Sequence, residues 1–226
     1  MDKNLTLLTD FYELTMMNGY LQNGMADKVA VFDLFFRQGN ESTFCIACGL
    51  EQAIDYIKNI SFGKEEIEYL RSLGTFGEDF LSRLAGFKFK GDVRALPEGT
   101  VVFPNEPLMV IKGSVFEAQL LEAALLNIVN FQTLIATKAA RVVRAARGRG
   151  VLEFGLRRAQ APDAAVYGAR AAVIGGCVGT SNVLASMLFD TEPKGTHAHS
   201  WVMSFDDELS AFRAYAELYP TNCLLL

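Results

Sequence analysis

The stretch VLEFGLRRAQAPDAAVYGARAAVIGG, residues 151–176, decides the fold class. It opens on VLEFG, a short apolar run that reads as a buried strand. It continues into PDAAVYGARAAVIGG, a helix with Pro162 near its first turn and glycines at its end. Downstream, TSNVLASMLFD reads as a helical or mixed element and KGTHAHSWVMSF as a short strand or loop. DDELSAFRAYAELYP is an amphipathic helix ending at Pro220, and TNCLLL opens an apolar strand. Strands and helices alternating at this spacing predict a parallel α/β arrangement.

Upstream the texture is α+β. TDFYELTMMNGYLQNGM predicts a helix from Asp10 with a stop at Gly24. KVAVFDLFFRQG and STFCIACGL are strand-like, and LEQAIDYIKNI, GKEEIEYLRSLG and GEDFLSRLAG are amphipathic helices. GDVRALPEGTVVFPNEPLMVIKGS reads as an antiparallel meander. From Phe116 one long helix is expected to about Arg147, apolar nearly all round in its first half and therefore buried. The expected division is an α+β domain over 1–115, a connecting helix over 116–147 and an α/β unit over 148–226.

Half of the 226 residues are hydrophobic, enough for a sizeable core, and the net charge is −5. With a pI near 5.2, the chain lacks the basic footprint of a nucleic-acid binder. MDKNLTLLTDFYELTMM has no apolar signal-peptide region. AALLNIVNFQTLIAT, 123–137, carries two Asn, a Gln and two Thr and is shorter than the roughly 18 apolar residues a membrane span needs. Of the four cysteines, Cys45 and Cys48 have Cys-x-x-Cys spacing, but no second pair completes a zinc site. Buried packing of free thiols, in a reducing cytoplasm, is the expectation. Lys138, Arg141, Arg144 and Arg147 recur every third residue as a basic ridge, read as a solvated face in preference to a phosphate site.

Chemistry in α/β folds collects past the C-terminal ends of strands. Arg157 and Arg158 follow the strand VLEFG, where guanidiniums suit a phosphate or carboxylate, with Phe154 as a flat face for a ring. The alternative is an arginine paired with Glu153 or Asp163 and a core Phe154. On a strand the two arginines point opposite ways. The chain's only histidines, His197 and His199, lie in KGTHAHSW. On a strand they share a face and could hold a metal with Asp190 or Asp206. Alternatively, one imidazole acts as nucleophile or acid/base beside the Thr196 and Ser200 hydroxyls, or both are surface residues.

Together LLTDFYELTM, NFQTLIATKAAR, EFGLRRAQ and GTHAHSW resemble the nicotinate phosphoribosyltransferase family, in the family's order and across essentially the whole chain. The resemblance implies that nicotinic acid is joined to 5-phosphoribosyl 1-diphosphate, giving nicotinate mononucleotide and diphosphate for NAD synthesis. It implies coupling to ATP hydrolysis, with Mg²⁺ and no tightly bound metal, through a phosphohistidine. It also implies an α+β domain beside an irregular, TIM-like α/β barrel, in a homodimer. The phosphorylated histidine of the family's AHS triplet matches His199, not His197. The nicotinate-contacting threonine matches Thr196. Phe154 and Arg157 match the ring-stacking and anion-holding positions of the FG-x-R motif. The tyrosine that reaches the neighbouring subunit's site matches Tyr12. Family chains are considerably longer: this one is expected to end inside the barrel, without the later arginine and the loops that grip the ribose phosphates.

The chemistry agrees. The ring nitrogen of nicotinate attacks C1 of the ribose, so the site needs an aromatic slot, a cation for the carboxylate, and cations with Mg²⁺ for the departing diphosphate. A neutral imidazole, ordinarily titrating at about 6.5, can accept a phosphoryl group near neutral pH. Two rivals are a metal-dependent barrel hydrolase using His197 and His199 together, and a truncated, non-catalytic chain that keeps an interaction surface.

Overall fold

The computed structural model describes residues 4–37, 43–221 and 223–225. The parts of the expected features that fall on 1–3, 38, 39, 42, 222 and 226 lie outside them.

Helix α1 (Phe11–Gln22) starts after the extended Asp10 and stops at Gly24, whose φ is 67°. Strands β1 (Val29–Leu34) and β2 (Cys45–Ile46) follow, then three amphipathic helices, α2 (Leu50–Asn59), α3 (Lys64–Ser72) and α4 (Glu78–Ala85). Gly49, at φ 102°, enters α2, and a Cβ there would sit 3.0 Å from the Ile128 carbonyl oxygen. Both the conformation and the close approach require glycine.

The stretch 91–114 forms β3 (Asp92–Ala95), β4 (Val101–Val102) and β5 (Met109–Ser114), but not the expected meander. β5 is central in a three-stranded antiparallel sheet of order β1-β5-β3, while β4 leaves to pair with β2, Cys45 opposite Val102. The physical reason lies on the other edge of β2. There the Ile46 N–H donates to Thr137 Oγ1 at 2.9 Å, and Thr133 Oγ1 both accepts from the Cys48 N–H at 3.2 Å and donates to the Cys48 carbonyl at 3.1 Å. A buried strand edge needs partners for its backbone groups, and two threonine hydroxyls supply them.

Those threonines sit on α6 (Glu122–Ala145). The expected single helix from Phe116 is two, because α5 (Val115–Leu120) breaks from α6 at Leu121. The break exposes new helix-start amides. Glu13, fully buried on α1, accepts one of them, the Ala123 N–H, at 3.0 Å. α6 is not an apolar cylinder either: Gln132, Thr133 and Thr137 are buried, whereas Leu126 and Leu134 are exposed. Of the basic ridge, Lys138 and Arg144 are exposed, Arg141 lies over the Phe44 ring, and Arg147 falls beyond the helix end at φ 51°.

The α/β alternation follows, in shorter pieces than expected: β6 (Leu152–Glu153), α7 (Pro162–Ile174), β7 (Gly179–Thr180), α8 (Val183–Phe189), α9 (His199–Val202) and α10 (Glu208–Leu218). β6 and β7 pair in parallel, Glu153 opposite Thr180, and Thr180 bridges onward to Pro193, also in parallel. The overall class is mixed α/β. No closed barrel forms among the described residues, and residues 223–225 are irregular, not the expected strand.

The main core runs from α1 to the first half of α6, with Phe76, Phe80 and Phe116 in ring contact. Smaller clusters join α6 to α7 through Ala136, Ala139, Ala171, Ala172 and Cys177. A Cβ on Gly175 would meet the Ala136 carbonyl oxygen at 2.5 Å, so this seam closes only on glycine. The cysteines are free; Cys45 and Cys48 are buried as expected, Cys177 is buried too, and Cys223 in the apolar NCLLL run is only partly buried. No helix among the described residues is long and apolar enough to cross a membrane.

Candidate functional site

The parallel strands β6 and β7 are so short that their ends are reached at once. Glu153 ends β6; Phe154 and Gly155 lead into a single 3-10 turn, Leu156–Arg158. This overturns the expectation that Arg157 and Arg158 alternate on a strand: in a tight turn both are exposed. Arg158 reaches back, its Nη1 donating to the Phe154 carbonyl at 3.1 Å. Arg157 makes no ion pair among the described residues, and Phe154 is 39 % exposed, so neither is core. Glu153 pairs with neither arginine. One of its oxygens accepts the Gly155 N–H and the other accepts the Thr180 hydroxyl at 2.5 Å.

Beyond the turn, Ala161 has a φ of 94°, an outlier for a residue with a Cβ. It delivers Pro162 to the first turn of α7. Gln160 and Asp163 line a cavity of about 270 Å³ with Asn127, Phe131 and Tyr167, so the segment after the turn and the start of α7 face the N-terminal half of α6. Asn127, Gln160 and Tyr167 carry no signal in the sequence, because their spacing shows no motif until α6 and α7 are brought together.

KGTHAHSW does not form the expected strand. Lys194 N–H donates to the Thr180 carbonyl at 2.9 Å, then the chain leaves the sheet, and His199 opens α9. The half-buried Thr196 donates its hydroxyl to the His197 carbonyl at 2.8 Å. The two histidines diverge in environment. His197 is buried, its ring 5.5 Å from Phe212 and 5.2 Å from Tyr215. His199 is exposed. Trp201 anchors α9 to α10, its Nε1 donating to the Ala211 carbonyl at 3.0 Å. One imidazole is wedged among aromatic rings and the other is open to solvent, which is not the arrangement of a chelating pair.

Tyr12 stands on a different element. Exposed on α1, it donates its hydroxyl to Glu122 Oε1 at 3.0 Å, and the buried Gln119 amide holds the other Glu122 oxygen at 2.8 Å. Partial desolvation and then the hydrogen bond to the Glu122 carboxylate push the Tyr12 phenol up to about 12. Thr180 thus ties Glu153, which precedes the turn bearing Phe154 and Arg157, and Lys194, which precedes Thr196 and His199, whereas Tyr12 stands on α1 against Glu122 at the start of α6.

The N-terminal domain model of nicotinate phosphoribosyltransferase matches residues 7–130. The chain belongs to the nicotinate phosphoribosyltransferase family. It is similar to a nicotinate phosphoribosyltransferase of Bacillus subtilis, 46 % identical over the whole of this chain and 46 % of the relative. A Mycobacterium tuberculosis nicotinate phosphoribosyltransferase is likewise 46 % identical, over 97 % of this chain and 48 % of its own length. The crystal structure of human nicotinic acid phosphoribosyltransferase superposes with a TM-score of 0.81 at 37 % identity, over 87 % of this chain and 40 % of that one. The chain therefore spans about half the length of the curated relatives it matches.

Proposed function

We propose that this chain carries the nicotinate-binding and phosphoryl-accepting part of an ATP-coupled nicotinate phosphoribosyltransferase, joining nicotinate to 5-phosphoribosyl 1-diphosphate. The observation that carries the reading is the convergence at Thr180. The turn bearing Phe154 and Arg157 and the segment leading to Thr196 and His199 are both fixed to this one residue.

Phe154 offers a partly exposed ring face to the pyridine, and Arg157, which makes no ion pair among the described residues, offers a guanidinium to the nicotinate carboxylate. Thr196, two residues beyond the Lys194 tether to Thr180, is the proposed nicotinate contact. His199, open to solvent, is accessible to the γ-phosphate of ATP in a way that the buried His197 is not. The γ-phosphoryl group would pass to the His199 imidazole nitrogen, the bond from its phosphorus to the bridging oxygen breaking and ADP leaving. Mg²⁺ would arrive on the nucleotide and diphosphate oxygens and neutralise charge on the leaving group. The parallel pair β6–β7 and its bridge to Pro193 support the start of an irregular, TIM-like barrel. Tyr12 and Met16, one turn apart and both exposed on α1, support a homodimer in which Tyr12 faces the neighbouring site. The four free thiols support a reducing, cytoplasmic location.

The test is calorimetric titration of the chain with nicotinate and, separately, nicotinamide. Uptake of the acid with at least about tenfold preference over the amide, a difference of about 1.4 kcal/mol, is expected. Equal uptake of the two, or none of either at millimolar concentration, overturns the reading. The divergent environments of His197 and His199 count against the metal-hydrolase alternative.

A further inference from the structure

We infer that Thr180 and Glu153 are positioning residues: together they hold the Phe154–Arg157 turn in the orientation that receives the substrate ring and its anionic group. The inference rests on the reading of that turn as the nicotinate site.

Thr180 is fully buried. Its hydroxyl oxygen accepts the Asn182 N–H at 3.0 Å. An amide can only donate, so the hydroxyl proton is directed to Glu153, 2.5 Å away. The second Glu153 oxygen accepts the Gly155 N–H. The hydrogen bonds thus run in one sense, from both ends into the carboxylate. Hydrogen bonds to a charged acceptor are the stronger kind. The Gly155 carbonyl in turn accepts the Arg158 N–H at 2.8 Å, closing the 3-10 turn. The peptide groups on both sides of Gly155 are therefore tied down, one by Glu153 and one by the turn itself.

Gly155 itself shows how close this contact is. Its φ is −89°, which any residue adopts, yet a Cβ there would lie 2.6 Å from Glu153 Oε1. A side chain at position 155 would displace the carboxylate from its place over the amide. The glycine is required by the brace and not by the backbone conformation.

The brace reaches further through Thr180 and Asn182. The Thr180 carbonyl accepts Lys194 N–H at 2.9 Å, fixing the segment that runs into Thr196 and His199. Asn182 caps α8 through Ala185 N–H at 3.1 Å and donates to the Ala165 carbonyl of α7 at 3.1 Å. By contrast, Phe154 and Arg157 are exposed, and the Arg158 guanidinium provides the other tether to the turn. Without the brace the rotamers of Phe154 and Arg157 would be set by solvent.

Hydrogen exchange read by mass spectrometry tests this on the full chain, alongside nicotinate titration. Thr180→Val removes the hydroxyl at nearly constant shape. Exchange at Gly155 and Arg158 is expected to rise about tenfold or more, with α1–α4 unchanged, and nicotinate binding to weaken about tenfold. Thr180→Ser is expected to restore both. Should Thr180→Val not fold, Glu153→Gln, which leaves one acceptor oxygen for two donors, is expected to raise exchange at the same amides. Unchanged exchange at 155–158 overturns the inference, as does faster exchange with unaltered nicotinate affinity. If the unsubstituted chain takes up no nicotinate, the proposed function fails. The brace is then decided by exchange alone, where a rise reversed by Thr180→Ser upholds it and no rise refutes it.

Discussion

The Arg170 guanidinium grips the Glu98 carboxylate with two hydrogen bonds, Nη1 to Oε1 at 2.9 Å and Nη2 to Oε2 at 2.7 Å, across 72 residues of sequence. Glu98 also accepts the Gly49 and Leu50 N–H groups at 2.6 and 3.1 Å, and Arg170 also reaches Glu51 and the Gln132 amide oxygen. This knot joins the start of α2, the β3–β4 loop and α6 to α7. It fixes the α/β part, with its candidate site, to the α+β part. Both side chains are largely buried, 10 % and 18 % exposed, so each relies on the other.

Arg170→Met is therefore expected to destabilise the chain by about 3 kcal/mol, as when one partner of a buried pair is removed and the other left behind. A lower urea midpoint with an unchanged slope is the expected signature. A loss under about 0.5 kcal/mol, the size of an ordinary surface change, would mean that the two parts are held by the alanine seam alone.

Glu98 and Glu13 give opposite pH dependences. Burial raises the Glu98 pKa, but the Arg170 hydrogen bonds and the Gly49 amide outweigh it and leave it lowered. A lowered carboxyl contributes stability above its unfolded pKa of about 4.3, lost as pH falls through the folded value. Glu98→Gln is then expected to be less stable than the parent at pH 7, with the gap narrowing on acidification. Glu13 is raised by burial, against the opposing hydrogen bonds from Thr9 and Ala123. Its stability is present below the unfolded pKa and is lost as pH rises through the folded value, so Glu13→Gln is expected to flatten the loss above about pH 4.3. Urea midpoints measured between pH 3 and 8 read both, and parallel curves for parent and variants would refute the assignment.

The two histidines are expected to separate stability from chemistry. His197→Ala leaves a hole beside Phe212 and Tyr215 and is expected to cost about 2–4 kcal/mol of folding stability. His199→Ala is expected to leave the melting temperature unchanged. In a family-length chain carrying these residues, it is expected to abolish acid-labile label from γ-labelled ATP. Label that survives His199→Ala and vanishes in a folded His197→Ala would reverse the roles.

Arg157→Ala is expected to weaken nicotinate or phosphoribosyl diphosphate binding by about 2–5 kcal/mol, the loss of one partner of a desolvated charge pair. Arg158→Ala is expected to lose less, about 1 kcal/mol, because it removes only the tether to the Phe154 carbonyl. Equal and small losses for both in calorimetric titration would make the turn purely structural.

The sequence by itself determined what is local. The α1 boundaries were legible because Asp10 and Gly24 act within a turn of their own positions, and the start of α7 because Pro162 fixes its own backbone. The mixed α/β class followed from periodicity. A motif match alone favours His199 over His197; their difference in burial comes from α10, which closes over one imidazole of the pair by packing Phe212 and Tyr215 on His197. Tertiary structure decided whatever depends on hydrogen bonds between distant segments. β4 pairs with β2 because threonines of α6 occupy the other edge of β2. The helix from Phe116 breaks because Glu13, more than a hundred residues earlier, accepts the new helix-start amide. Arg157 lies in a turn and not on a strand because β6 ends at Glu153, whose carboxylate is taken by Gly155 and by Thr180, 27 residues away. Periodicity reports which face of an element is apolar. It carries no information about which distant donor will satisfy a buried acceptor, and here that pairing sets the geometry of the candidate site.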